Sequence, residues 1–328
     1  MSTHAVRGAV ALAATLLMAL GAANVAGARS DRQLLDRYQP VTHFDPVERF
    51  EPTTVRSFVR DSDLEQLDGQ TWVLVDPSPR PGDLPGPGTG VWRLDQRSCS
   101  PFLALGGLEC YDAAEEARQH RSVVYARVVR PEGAIVLQYW YFYYDDVYSY
   151  THPPTDFLWQ AHEGDWEVVN VVLSEDEAPQ YVGYSQHCLG QRRSWSLTPR
   201  LGTHPIDYVA AGSHANYFSA GTHAINLACI PPQALAILRA LGLPPPVDYT
   251  GQGDVAGPPE AGGVHTHVRM VDIDHPAWIS FPGSWGETQY FHAPSPIGTV
   301  PFGTSPNGPA YHPVWNDPLG TIVGWPSG

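Results

Sequence analysis

The chain contains no lysine; its 19 basic residues are all arginines, set against 34 acidic ones. Walker-type phosphate binding and Schiff-base catalysis both need a lysine amine, so both are excluded. The formal net charge of -15 leaves no cationic footprint for nucleic acid or anionic lipid. Cysteine is scarce, at four residues, and no CxxC spacing occurs, which argues against a cysteine zinc site. Also missing are an Asn-x-Ser/Thr acceptor, an internal repeat and any membrane-length apolar run after the first residues. The nearest to such a run, Ile225 to Leu243, is broken by Pro231-Pro232 and carries Arg239.

The N-terminus has the layout of an export signal. His4 and Arg7 precede an apolar run from Gly8 to Ala23, and Ala26-Gly27-Ala28 supplies a small-residue cleavage site. The run falls short of the roughly 20 residues that span a bilayer, so residues 1–28 are expected to be cleaved and the mature chain to be secreted. Cleavage removes a single arginine, Arg7, and no acid. In an oxidising compartment four cysteines predict disulfides. Of the three connectivities, Cys99–Cys110 with Cys188–Cys229 is preferred, because a short Gly-containing loop joins the first two.

With 31 glycines and 32 prolines spread along it, the chain suits many short strands joined by turns. Strands are expected over Thr71–Val75, Ser122–Arg130, Ala134–Tyr144, Asp165–Leu173, Gln180–His187, Ile206–Ala211 and Val264–Ile273, all rich in Val, Ile, Tyr and Trp. Helices are expected from Asp112, with Glu115 completing a capping box, and from Pro232 to a C-terminal cap at Gly242. The strands do not alternate with helices, so the fold class is all-β in the main. The expected form is a single β-sandwich-like domain over 71–328, with long loops and two or three short helices. Residues 29–70 read as an N-terminal extended arm, and Pro244–Gly263 as a flexible loop.

The chemistry concentrates between Gln138 and Leu173. The aromatic run Tyr139 to Tyr144 ends in Asp145-Asp146, and His162-Glu163-Gly164-Asp165-Trp166-Glu167 leads into Val168–Leu173. Side chains alternate along a strand, so Asp165 and Glu167 share a face about 6.6–7 Å apart, with Trp166 opposite and Val169, Val171 and Leu173 beyond them. Two acids at the mouth of an apolar face repel each other unless a cation, a proton or hydrogen bonds compensate. Gly164 permits a tight turn that could return His162 to the same end. An imidazole with carboxylates suits Mg²⁺, Ca²⁺ or Mn²⁺ best, with Zn²⁺ or Fe²⁺ possible. The alternative is that the acids pair with arginines or cap amides.

These segments resemble the vacuolar protein sorting-associated protein 62 family. The resemblance rests on the aromatic run, His162 to Glu167, Tyr184-Ser-Gln-His187, Gly202-Thr-His-Pro205 and Tyr208 to Tyr217. Trp285-Gly286-Glu287 and Pro313 to Pro318 extend it to the C-terminus. More distantly, the chain is similar to the necrosis- and ethylene-inducing peptide-like secreted proteins. These carry a W-Y-x-P-K-D strand end followed by G-H-R-H-D-W-E. That likeness implies a β-sandwich and a divalent cation held by Asp145, His162, Asp165 and Glu167, with Ser213-His214 matching a downstream Ser/Thr-His. The chain departs at Glu163, at Gly164 and in the longer spacer from Asp145 to His162, which bears on toxin activity and its sphingolipid receptor more than on the ligand set.

Two functions remain open. One is a non-catalytic binding protein whose metal shapes a surface for a lipid headgroup or glycan. The other is a metal-dependent hydrolase of an extracellular ester, phosphoester or glycan, with His187 or His214 as general base. Among the remaining histidines, His204, His223, His265 and His267 read as structural. Ser213 lacks the G-x-S-x-G elbow of a serine hydrolase. The run Tyr139–Tyr144 fits either a ligand-stacking face or alternating core aromatics.

Overall fold

The computed structural model describes residues 29–48, 51–97, 122–149, 158–259, 268–274, 276–293 and 298–328. The expected leader, the Cys99–Cys110 pair, the helix from Asp112 and His265 with His267 lie outside them.

The fold is mainly β and is organised by a six-stranded sheet. Its spatial order is Arg269–Asp272, Val123–Val129, Ala134–Ser149, Leu158–Ser174, Pro179–Gln186 and Leu189–Ser194. The first pair is parallel and the others are antiparallel. At the centre run two long strands of 16 and 17 residues, Ala134–Ser149 and Leu158–Ser174. Both faces of the sheet are buried. Tyr139, Tyr141 and Tyr143 enter one core with Val169, Val171 and Leu173, while Trp140, Phe142 and Tyr144 enter the other with Trp166 and Val168. The aromatic run is therefore core on alternating faces and offers no ligand-stacking surface.

The tyrosine-side core is closed by a second, mixed sheet ordered Arg200–Leu201, His204–Val209, Val41–Phe44 and Val255–Ala256, with Asn216–Tyr217 on His204–Val209. The tryptophan-side core is closed by the sheet Thr71–Asp76, Ser62–Asp68, Trp92–Gln96 and by C-terminal segments. Within it Trp166 stacks on Trp278, centroids 5.7 Å apart and planes 14° from parallel. Each large side chain buried this way contributes about 1.5–3 kcal/mol.

Residues 29–70 are not an extended arm. They hold the helices Asp31–Tyr38 and Val55–Asp61 and the strands Val41–Phe44 and Ser62–Asp68. A capping box at Ser30 and Gln33 starts the first helix, and its apolar side, Leu34, Leu35 and Tyr38, enters the tyrosine-side core. Thr54 caps the second, which sends Phe58 into the tryptophan-side core. Val55 N donates to Tyr125 Oη at 2.8 Å and Thr53 N to Phe142 O at 2.7 Å, tying the segment to the central sheet. Five short α-helices occur among the described residues, more than expected, because two of them fall in this segment and two in the last 16 residues. The helix Pro232–Leu241 forms as read, with Gly242 left-handed at its C-cap. Within Pro244–Gly263, strand Val247–Thr250 pairs with Gly221–Ala224 and buries Asp248 completely, so this part is not a flexible loop.

Candidate functional site

The register of the two long strands sets Tyr143 opposite Asp165, Asp145 opposite Glu163 and Asp146 opposite His162. Gly164 lies between these pairs with φ +58, and a Cβ there would collide with the carbonyl oxygen of Trp285. Only glycine fits. The irregularity puts Glu163 on the tryptophan side, where its carboxylate accepts from Gln96 N at 3.0 Å. His162 and Asp165, three residues apart, meanwhile act on one buried group.

In that group His162 Nε2 is 3.3 Å from Asp146 Oδ2, and its Nδ1 donates to Gly164 O at 2.9 Å. The acid beside His162 is thus Asp146, with Asp145 buried one place back, opposite Glu163. His214 is 1% exposed in its side chain, with Nδ1 3.1 Å from Asp165 Oδ2 and Nε2 3.7 Å from Glu48 Oε2. Its φ of +52 is strained for a non-glycine residue. Glu48 is fixed by the Gly212 amide at 2.7 Å, at a turn where a Cβ would strike the Val147 carbonyl. Glu167 accepts from the Ser185 hydroxyl. Asn216 bridges to Asp207: in one orientation its amide lies 3.3 Å from Glu167 Oε2, in the other it donates to Asp207 Oδ2 at 2.8 Å.

The electrostatics are those of crowded, dry acids. Burial, then the charges of neighbouring acids, hold Glu167 well above the usual carboxylate range, and burial alone does so for Asp207. Burial also raises Asp146, against the pull of His162. Burial lowers both imidazoles, but their acids outweigh it. Asp146 and then Asp165 carry His162 up to about 9, while Glu48 and Asp165 carry His214 up to about 9. Among the described residues, no arginine forms a salt bridge with Asp146, Asp165, Glu167 or Asp207. Arginine pairing, among the described residues, is not what holds these acids.

Arginine does organise the acids across the sheet. Arg93 reaches Glu65 at 2.7 Å, Asp95 at 3.0 Å and Glu287 at 3.1 Å. There Asp95, Glu163 and Glu287 place ligand atoms within 4.8 Å of one another, the one histidine, cysteine or acid group among the described residues packed that tightly. This cluster carries its own cation in Arg93. Burial and the charge of Glu287 nevertheless push Asp95 up to about 7.

A third constellation surrounds Asp248. Its carboxylate takes Ser213 Oγ at 2.7 Å, Tyr217 Oη at 2.5 Å and His187 Nε2 at 2.7 Å. His187 sits at φ +50 beside the Cys188–Cys229 disulfide, which forms as preferred. With 22% of its side chain exposed, His187 lines a cavity of about 290 Å³ and a smaller one of about 30 Å³ that reaches Asp146. Of the two proposed general bases, His187 borders open space and His214 is sealed among Tyr143, Asp165 and Glu48. Ser213 is committed to Asp248 rather than to a histidine. His204 is structural, its Nδ1 2.9 Å from Gln39 O, and His223 stacks on Tyr217 with centroids 3.9 Å apart.

The chain resembles vacuolar protein sorting-associated protein 62. The similarity to that Saccharomyces cerevisiae protein is 25% identity over 293 residues, 77% of this chain and 56% of the other. The chain thus spans little more than half the length of that relative. No family model matches. Among solved structures, it is similar to necrosis and ethylene inducing protein 2 from the causal agent of cocoa's witches' broom disease. That match has 17% identity, 58% coverage of this chain and 69% of the other, and a TM-score of 0.32. It is also similar to NLPPya, solved in complex with glucosamine, at 15% identity, 58% and 68% coverage and a TM-score of 0.31.

Sequence reading missed Glu48, Asp146, Asp207 and Asp248. Ser185 and Asn216 stood inside the family-like segments, but neither bears a charge that would mark it. Asp146 could have been found by counting the register outward from the Gly164 irregularity. Glu48 and Asp207 give no local signal, since their approach depends on how two sheets pack.

Proposed function

We propose that this chain is an exported β-sandwich protein that holds a divalent cation between its two sheets and recognises a lipid headgroup or glycan outside the cell. Asp146, His162, Asp165 and Glu167 would hold the cation, drawing in from an arrangement wider than the 4.8 Å spacing of the Asp95, Glu163 and Glu287 group. The single observation that carries this reading is the buried acid group itself, with Asp146, Asp165, Glu167 and Asp207 enclosed and, among the described residues, unneutralised by arginine. Asp146 Oδ1 is also buried without a hydrogen-bond partner, an acceptor with no donor facing it. An oxygen-rich set with one or two imidazoles suits Mg²⁺, Ca²⁺ or Mn²⁺, and admits Zn²⁺. The cation would supply charge neutralisation and rigidity beside the left-handed Gly164. Metal analysis of protein purified from medium tests this. Stoichiometric Mg, Ca, Mn or Zn supports it, and metal-free protein that takes up none of the four overturns it.

A second reading, metal-dependent hydrolysis of an ester, phosphoester or glycan, is favoured by one observation. His187, oriented by Asp248, lines the same small cavity as Asp146. An ionised acid behind an imidazole makes that ring a stronger base. A broad esterase and phosphodiesterase screen with added cation decides it, and His187→Ala abolishes any turnover that depends on this base.

A further inference from the structure

The cavity of about 290 Å³ beside the disulfide is a built pocket rather than a packing fault. It lies near the lower end of the roughly 300–1,000 Å³ usual for ligand sites. Its polar wall is Gln186, His187, Gln191, Tyr217 and Asn226, and its apolar wall includes Ile225. Several of these polar groups are half committed. Gln186 gives its Nε2 to Asn216 O at 2.7 Å, which leaves Oε1 as an acceptor. Asn226 uses Oδ1 to cap Ala228 N at 3.0 Å, which leaves its amide NH₂ as a donor. His187 has Nε2 on Asp248, which leaves Nδ1 as the ring nitrogen that can take a ligand. Asp248 is itself completely buried and held by Ser213 and Tyr217, so the imidazole is rigidly aimed.

Among the described residues, no arginine, aspartate or glutamate lines this pocket, and its one titratable imidazole, His187, is already paired with the buried Asp248. A charged ligand would enter without a counter-charge, at a desolvation cost that side-chain amides do not offset. A hydroxyl both donates and accepts, and so matches a wall that alternates acceptor, donor and imidazole. The short apolar wall suits the C–H face of a ring.

We propose that this pocket binds an uncharged, polyhydroxylated ring, presented either as a free glycan or as a glycolipid headgroup. The proposal rests on the recognition role given above and narrows it to the ring hydroxyls common to both ligand sources. His187 and Asn226 are its hydrogen-bonding anchors, and the disulfide at Cys229 fixes the wall between the pocket and the buried acids.

The test is saturation-transfer NMR with methyl α-glucoside and N-acetylglucosamine, together with flotation on phosphatidylcholine vesicles with and without glucosylceramide. Ala224 lines the pocket and is exposed, so Ala224→Trp fills the space without touching a core. Wild type is expected to bind a free sugar or the glucosylceramide vesicles, with affinity about tenfold weaker or worse in Ala224→Trp and in His187→Ala. Free-sugar binding assigns a glycan, and binding to glucosylceramide vesicles alone assigns a headgroup. No binding by wild type to any of these, or binding undiminished in a normally melting Ala224→Trp, overturns the proposal. Melting curves with and without Ca²⁺ on the same samples report the cation separately. Sugar binding without cation stabilisation keeps the pocket, and stabilisation without sugar binding removes it.

Discussion

The imidazole of His214 lies flat on the ring of Tyr143, centroids 3.7 Å apart and planes 4° from parallel. The stack holds Nδ1 against Asp165 and keeps a raised, largely protonated imidazole between two acids. His214→Ala removes both the ring contact and the counter-charge. It should cost on the order of 3–5 kcal/mol in urea unfolding, as expected when one partner of a buried pair is lost. A cost below about 1 kcal/mol would mean that Asp165 and Glu48 are neutralised in another way.

Gly164 is predicted to be, with Gly212, among the least replaceable glycines in the site. Gly164→Ala meets both a left-handed backbone and the Trp285 carbonyl, whereas Gly202 at φ +61 has nothing within 4 Å of a Cβ. The Gly202 variant should lose about 1 kcal/mol, and the Gly164 variant clearly more. Equal melting temperatures for the two would show that the strand relaxes around the clash.

Much of this architecture is legible in the sequence, because it follows from alternation. Period-two burial predicts that Asp165, Glu167, Val169 and Val171 share a face, and they do. Asp146 shows where that logic fails. The left-handed Gly164 breaks the alternation of faces, so His162 joins the side of Asp165, and the unbroken pairing register sets Asp146 rather than Asp145 opposite it. The helices of residues 29–70 escaped notice because they are seven and eight residues long, too short for a strong periodic signal. Glu48, Asp207 and Asp248 are set by packing between sheets, which no local pattern encodes.

Asp95 should give stability a pH dependence opposite to that of an ordinary paired acid. Burial and the charge of Glu287 push its folded pKa up to about 7, above the ordinary aspartate value of 3.8. The protonated form is therefore the one that folding favours. The stability it contributes is complete below about pH 3.8 and is lost as pH rises through about 7. Asp95→Asn keeps an acceptor for Arg93 and removes the titration. Urea midpoints of wild type and variant should converge in acid and separate above neutrality, with the variant more stable. Parallel curves would mean that Arg93 keeps Asp95 ionised throughout.

The Cys188–Cys229 bridge closes a loop with a sequence separation of 41. Replacing both cysteines with alanine should cost about 4 kcal/mol by the loop-entropy estimate. Non-reducing peptide mapping should show this link and, by the preference stated above, Cys99–Cys110. A free thiol at Cys188 in protein recovered from medium would contradict the first link, and free thiols at Cys99 and Cys110 the second.

The central claim is that the buried acids are there for a cation, and melting temperature against added cation tests it most directly. After chelation, wild type should be stabilised by at least one of Ca²⁺, Mg²⁺, Mn²⁺ and Zn²⁺, by about 2.7 kcal/mol at one hundred times its Kd. Glu167→Gln should lose that gain while its metal-free melting temperature is unchanged or raised, since the Glu167 carboxyl is already held well above its usual range by burial and by Asp165. Asp165→Asn should lose the gain as well. If none of the four cations moves the wild-type transition, the acids are held by shared protons and the two imidazoles, and the cation site does not exist.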